Sequence, residues 1–115
     1  MTRYYVVSLV LQLAHVLGAE ASPAVGAYAG LFGVGIPLVV GVWLGATEGQ
    51  GAGPSARSGF LVGLIPALLG LLLAVALGHV EPFLLVAGSL SSGVAGALGG
   101  ALGAALGRRG ARARA

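Results

Sequence analysis

The sequence has few charges and contains no cysteine, aspartate or lysine. Of its 115 residues, 8% are charged and 57% are hydrophobic, whereas a soluble domain carries about 25% charged residues. So few charges cannot cover a surface that faces water. Without cysteine, disulfides, thiolate catalysis and cysteine-ligated metal sites are excluded. Without aspartate there is no Ser–His–Asp set, and no glycine loop for phosphate is present, so we expect no enzymatic activity.

Four apolar runs are each long enough to cross a bilayer, which takes about 20 helical residues. They lie at residues 4–20, 24–46, 59–78 and 83–107. The sequence therefore predicts an all-α polytopic membrane protein, with one domain of four transmembrane helices (residues 1–107) arranged as two hairpins. Thr47 to Ser58 is expected to be a polar loop, and residues 108–115 a disordered basic tail.

The arginines predict the orientation of these helices. All six basic residues are arginines, at Arg3, at Arg57 and in the tail. With four spans they all lie on one side of the membrane, whereas the two short turns on the other side carry Glu20 and Glu81. The positive-inside rule then places both termini in the cytoplasm of a prokaryotic-type plasma membrane. The expected partner of this basic chain is the lipid bilayer, and no nucleic acid is expected.

The first run allows a second interpretation. A charged start, a short apolar run and the segment Ala19-Glu20-Ala21 resemble a signal peptide with its cleavage site. Gln12 and His15 inside the run are unusual for a signal-peptide core. We therefore favour a retained first span, with cleavage in the cell left open.

Small residues recur four apart along the later runs, which lets helices approach closely in lipid. In the fourth run they form two columns, Ser92 to Ala104 and Ala95 to Gly107. We expect Gly-rich close packing at eight positions: Gly33, Gly41, Gly70, Ser92, Gly96, Gly99, Gly100 and Gly103.

Polar side chains and prolines mark the first three runs. Ser8, Gln12 and His15 share one face of the first helix, where they either bond neighbouring helices or line a polar path. Pro37 and Pro66 each remove a backbone hydrogen bond and kink a helix. Two kinks at similar depth predict a vestibule or a hinge, unless they reflect only the usual frequency of proline in membrane helices.

Two histidines and two glutamates are expected at the same membrane face, because the first and third helices run in the same direction. His15, Glu20, His79 and Glu81 could hold a divalent metal, and the two histidines could ligate haem. Their spacing is not a metal signature. We favour a role as turn and headgroup residues, and expect no cofactor.

Three functions remain open. The favoured one is a helix-packing subunit, either a homo-oligomer or part of a larger membrane complex. The second is a small-solute or ion transporter or channel that uses the prolines and the polar stripe. The lack of a carboxylate in the middle of any span counts against coupling to protons or sodium. The third is metal or haem binding through His15 and His79.

Overall fold

The computed structural model describes residues 1–114, and over this range the chain forms helices and no strand. The helices are α1 (Thr2–Ala21), α2 (Pro23–Ala27), α3 (Ala29–Glu48), α4 (Ala52–Ala76) and α5 (Leu84–Arg114). All except α2 are long and apolar enough to span a membrane, which confirms the all-α class and the prediction of four helices of membrane length. Ala115, the last residue of the predicted tail, lies outside the described residues.

Two predicted segments differ in extent from the sequence-based expectation. The predicted second span, residues 24–46, is divided between two helices, because Tyr28 separates α2 from α3. Before this span, Ser22 is extended and separates α1 from α2. The helical conformation is disfavoured for a residue that precedes proline, because the proline ring clashes with its backbone. The predicted loop is much shorter, since only Gly49 to Gly51 separate α3 from α4. Gly49 and Gly51 have positive φ angles of 66° and 71°, which glycine adopts without strain.

The basic tail is helical rather than disordered over its described part. Helix α5 continues through Arg108 and Arg109 to Arg114. Alanine and arginine are both good helix formers. The tail therefore extends a helix that is already formed, and it does not have to nucleate one.

Helix α5 packs along both α3 and α4, whereas α1 packs on α3 and α4 without contacting α5 within the described residues. Tyr4, near the start of α1, lies beside Thr47, near the end of α3. Farther along α1, Gln12 lies beside Gly70 of α4. The buried side chains Tyr4, Val40, Leu44 and Val62 form the core between these helices.

The two small-residue columns of α5 face two different neighbours. A Cβ added to Gly96 would overlap the backbone oxygen of Gly59 in α4. A Cβ added to Gly99 would overlap the backbone oxygen of Leu38 in α3. Backbone thus lies directly on backbone, and we call this region the glycine seam. It includes Gly41, Gly45, Gly59, Gly63, Gly96, Gly99, Gly100 and Gly103.

The opposite face of α5 is apolar and exposed. It carries a large aliphatic side chain every four residues, at Leu90, Val94, Leu98, Leu102 and Leu106. Four residues span slightly more than one helical turn, so these side chains form one stripe. An exposed apolar stripe of this length, on a chain with four membrane-length helices, indicates a membrane protein.

Candidate functional site: a cavity among four helices

A cavity of about 500 Å³ lies among the four long helices, in the half of the molecule that contains the end of α1 and the start of α3. Its wall includes Gly30 and Gly33 of α3 and Gly70 of α4. Within the described residues, nothing lies within 4 Å of a Cβ added to Gly30 or Gly33. These two glycines therefore border open space rather than a neighbouring helix.

Gln12 is the polar residue most deeply placed in this wall. It is 2% exposed, lines the cavity, and its Nε2 atom finds no hydrogen-bond partner among residues 1–114. A buried polar group without a partner costs about 1–3 kcal/mol. Gly70 provides the room for it, since a Cβ there would lie 3.4 Å from the Gln12 Cβ. The Nε2 atom itself is buried behind the wall, so a ligand can satisfy this amide once the Gln12 side chain turns toward the cavity.

Two serines satisfy the carbonyls that the prolines free. Pro37 has no N–H to bond the carbonyl of Gly33, four residues earlier, and the Ser92 hydroxyl of α5 donates to that oxygen at 2.7 Å. Pro66 likewise frees the carbonyl of Val62, and the Ser8 hydroxyl of α1 donates to it at 3.2 Å. Each freed carbonyl is thus bonded by a hydroxyl from a neighbouring helix, as the lack of water in a bilayer core demands.

Gly33 and Ser92 also line the cavity, so the proline of α3 lies one turn from its wall. The prolines themselves are fully buried, and a Cβ added to Gly63 of α4 would lie 3.1 Å from the Pro37 Cβ. Pro37 and Pro66 therefore sit close together where the cavity gives way to the glycine seam. The cavity lies on one side of this level and close backbone packing on the other.

His15 completes the predicted polar stripe. It is half-buried, it lines the cavity, and its ring lies 5.7 Å from the ring of Phe32 in α3. Of the predicted stripe, Gln12 and His15 therefore face the cavity together, whereas Ser8 bonds α4 nearer the start of α1.

Glu20 and His79 form an ion pair when His79 is protonated. The pair joins the end of α1 to the connection between α4 and α5, and His79 also lines the cavity. We call this end the cavity mouth. Over residues 1–114, no three His, Cys, Asp or Glu side chains are grouped so that they could hold a metal ion. The predicted set of His15, Glu20, His79 and Glu81 is therefore not brought together as a metal site.

The predicted packing residues fall into two groups. Gly41, Gly96, Gly99, Gly100 and Gly103 lie in the glycine seam. Gly33 and Gly70 line the cavity instead, and Ser92 lies where the two regions meet. The same four-residue spacing thus serves close packing in one half of the molecule and an internal space in the other.

A polar cluster that sequence reasoning missed lies at the opposite end of α1. Arg3 donates to the Tyr4 hydroxyl at 2.8 Å and lies 3.4 Å from a carboxylate oxygen of Glu48. The Tyr4 hydroxyl also bonds Thr47, and the Tyr4 ring meets Trp43 edge-on at 4.5 Å. In the sequence, the signal for this cluster was two short polar segments, Arg3-Tyr4 near the start of the first run and Thr47-Glu48 just after the second. These segments meet only if α1 and α3 run in opposite directions.

The fold and the cavity define an all-helical protein with four helices of membrane length and a partly open, mostly apolar cavity among them. No family model, no curated protein and no solved structure matches this chain. The cavity is therefore the feature from which a function can be inferred.

Proposed function

We propose that this chain is a small-solute transporter of the membrane, which binds its solute in the cavity among α1, α3, α4 and α5. The observation that carries the proposal is the buried amide of Gln12, which lines a cavity of about 500 Å³ without a hydrogen-bond partner among the described residues. Clefts of roughly 300–1,000 Å³ with a few polar groups are typical of small-molecule sites.

The arrangement of the helices supports a transporter more than an open pore. The cavity lies near two helix-interior prolines, and transporters place their sites near interrupted helices at mid-membrane. Beyond the prolines, α5 contacts the backbones of α3 and α4 through the glycine seam. A solute that enters at the cavity mouth therefore meets a closed region, and passage requires the helices to move.

The proposal includes an orientation. We place the four helices as two hairpins with both termini in the cytoplasm, because the arginines lie away from the cavity mouth and Glu20 and His79 lie beside it. By the positive-inside rule, the mouth then faces the outside of a prokaryotic-type plasma membrane. The location of Tyr4 beside Thr47 and of Gly96 beside Gly59 is consistent with this arrangement.

The test is solute uptake by proteoliposomes. We expect wild-type protein to raise the uptake of an uncharged solute such as N-acetyl-leucinamide above that of empty liposomes. Gln12→Leu should slow this uptake, because it removes the polar group from the cavity wall. Leu98→Ala is the matched control on the exposed stripe and should leave uptake unchanged. Wild-type uptake equal to that of empty liposomes for N-acetyl-leucinamide, urea and glycerol would contradict transport.

A helix-packing role in an oligomer or larger complex stays a prediction. The columns on α5 that suggested it contact α3 and α4 of the same chain, so a partner helix would have to use another surface. Metal or haem binding through His15 and His79 also stays a prediction. Native mass measurement in detergent tests the first, and elemental analysis with a search for a Soret band tests the second.

A further inference from the structure

We infer that the cavity takes an uncharged molecule with an apolar body and an amide or hydroxyl group that bonds Gln12. This inference rests on the proposed transport function and names its substrate class. It is carried by the wall chemistry, by the placement of the charged residues and by the buried amide.

Most of the wall is apolar. Val16 of α1, Ala67 and Leu71 of α4 and Leu84 of α5 contribute aliphatic surface, and Gly30 and Gly33 contribute bare backbone. Burial of apolar surface against such a wall is favourable at about 25 cal/mol per Å². A fully polar solute would lose its water here without gaining enough hydrogen bonds in return.

The charged residues are placed so that a charged solute would lack a partner. The arginines Arg3 and Arg57 and those of the tail lie outside the wall, so an anion finds no guanidinium there. A cation would need a carboxylate, but Glu20 is paired with His79 at the cavity mouth. Burial of a charge without a partner is very costly. The wall therefore disfavours a cation when His79 is protonated and paired with Glu20, and it disfavours an anion when His15, the other imidazole of the wall, is neutral.

Gln12 supplies the specific contact. A carboxamide offers an N–H donor and a C=O acceptor, so it can bond an amide or a hydroxyl of a ligand in either direction. Ser91 and Ser92 also reach the wall, but each already donates its hydroxyl hydrogen to a backbone carbonyl. Gln12 therefore has hydrogen-bonding capacity left for a ligand, and so does His15, whose Nδ1 atom also finds no partner among residues 1–114.

Three probes of similar size and different charge test this inference on purified protein in detergent. They are N-acetyl-leucinamide, which is neutral, N-acetyl-leucine, which is an anion, and leucinamide, which is a cation. We expect the neutral probe to raise the thermal unfolding midpoint, and the two charged probes to have little effect. Gln12→Leu should weaken binding of the neutral probe roughly three- to tenfold, the loss of one hydrogen bond.

A second variant tests the position of the site without touching Gln12. Gly33→Leu fills space where nothing in the described chain lies within 4 Å, and it should abolish binding of the neutral probe. Leu98→Ala should bind like wild type. If Gln12→Leu does not fold, Gly33→Leu still decides where the probe binds.

The outcomes separate this inference from the transport proposal. Stronger stabilisation by a charged probe, or binding of the neutral probe that Gly33→Leu leaves intact, would overturn the inference. Uptake of another solute by proteoliposomes without binding of N-acetyl-leucinamide would overturn the substrate class and leave transport standing. Binding of the neutral probe that depends on Gln12, without any uptake, would support the inferred binding site and contradict the proposed transport function.

Discussion

Ser8 and Ser92 perform the same task at two prolines. Each hydroxyl comes from a neighbouring helix and bonds the carbonyl four residues before a proline, Val62 for Ser8 and Gly33 for Ser92. Both serines are almost fully buried. From the sequence, Ser8 was expected either to bond a neighbouring helix or to line a polar path, and Ser92 was expected to pack, but neither serine was connected with a proline.

A double-mutant cycle tests the role of Ser92. Ser92→Ala should lower the free energy of unfolding by about 1–2 kcal/mol, because the Gly33 carbonyl loses its donor. In a Pro37→Ala background the new N–H of residue 37 can bond that carbonyl, so Ser92→Ala should then cost much less. The measurement is equilibrium unfolding in detergent with SDS as denaturant.

Ser91→Ala is the neighbouring control, since the exposed Ser91 hydroxyl bonds Ala87 of its own helix. It should change the free energy of unfolding by less than about 0.5 kcal/mol. An equal cost of Ser92→Ala in both backgrounds would show that the hydroxyl does not act through the proline.

At the scale of the helix, the glycine seam brings α5 against α3 and α4. Backbone atoms of α5 touch backbone atoms of α3 and α4. Helix association in lipid depends on van der Waals packing rather than on the hydrophobic effect. A glycine that would be a poor helix residue in water becomes useful here, because it allows the closest approach.

Gly96→Ala and Gly35→Ala test this explanation as a pair. The added methyl group of Gly96→Ala would overlap the backbone of Gly59, so α4 and α5 must move apart, and we expect a loss of about 1–3 kcal/mol in the free energy of unfolding. Gly35→Ala meets nothing within 4 Å among residues 1–114 and should be neutral or slightly stabilising. Both free energies of unfolding are to be measured by the same SDS titration in detergent.

Equal effects of the two substitutions would indicate that helix propensity, rather than contact across the seam, sets the cost. The two substitutions can be compared directly, because both glycines lie inside helices and neither has a positive φ angle.

The sequence predicted some elements well and others poorly for physical reasons. Apolar run length is a local property, so four membrane-length helices could be predicted and are present. The early start of α4 at Ala52 was missed, because the polar residues of this segment resemble a loop although the segment is helical. The cavity could not be predicted, since it depends on how far Gly30 and Gly33 stand from the other helices.

The whole molecule is asymmetric along its long axis. Close backbone packing occupies the half with the arginine-bearing ends, and the cavity occupies the half with Glu20 and His79. The charge pattern that predicts orientation in a membrane therefore also predicts the compartment that the cavity faces.

Single-cysteine variants test this orientation, and the natural absence of cysteine makes them clean probes. In intact cells, a membrane-impermeant maleimide should label Glu81→Cys from outside. Gly53→Cys and Ala111→Cys should be labelled only after the membrane is permeabilised. Labelling of Gly53→Cys and Ala111→Cys from opposite sides would contradict the four-span topology, and external labelling of both would invert it.

The glycine seam has a kinetic consequence. In many gates a bulky side chain rotates out of the way, but Gly96, Gly99 and their neighbours have no side chain that could rotate. Any opening of the glycine seam must separate whole helices and break many small contacts at once. Under the proposed transport function, turnover should therefore be slow, with a large activation enthalpy and a steep dependence on bilayer fluidity.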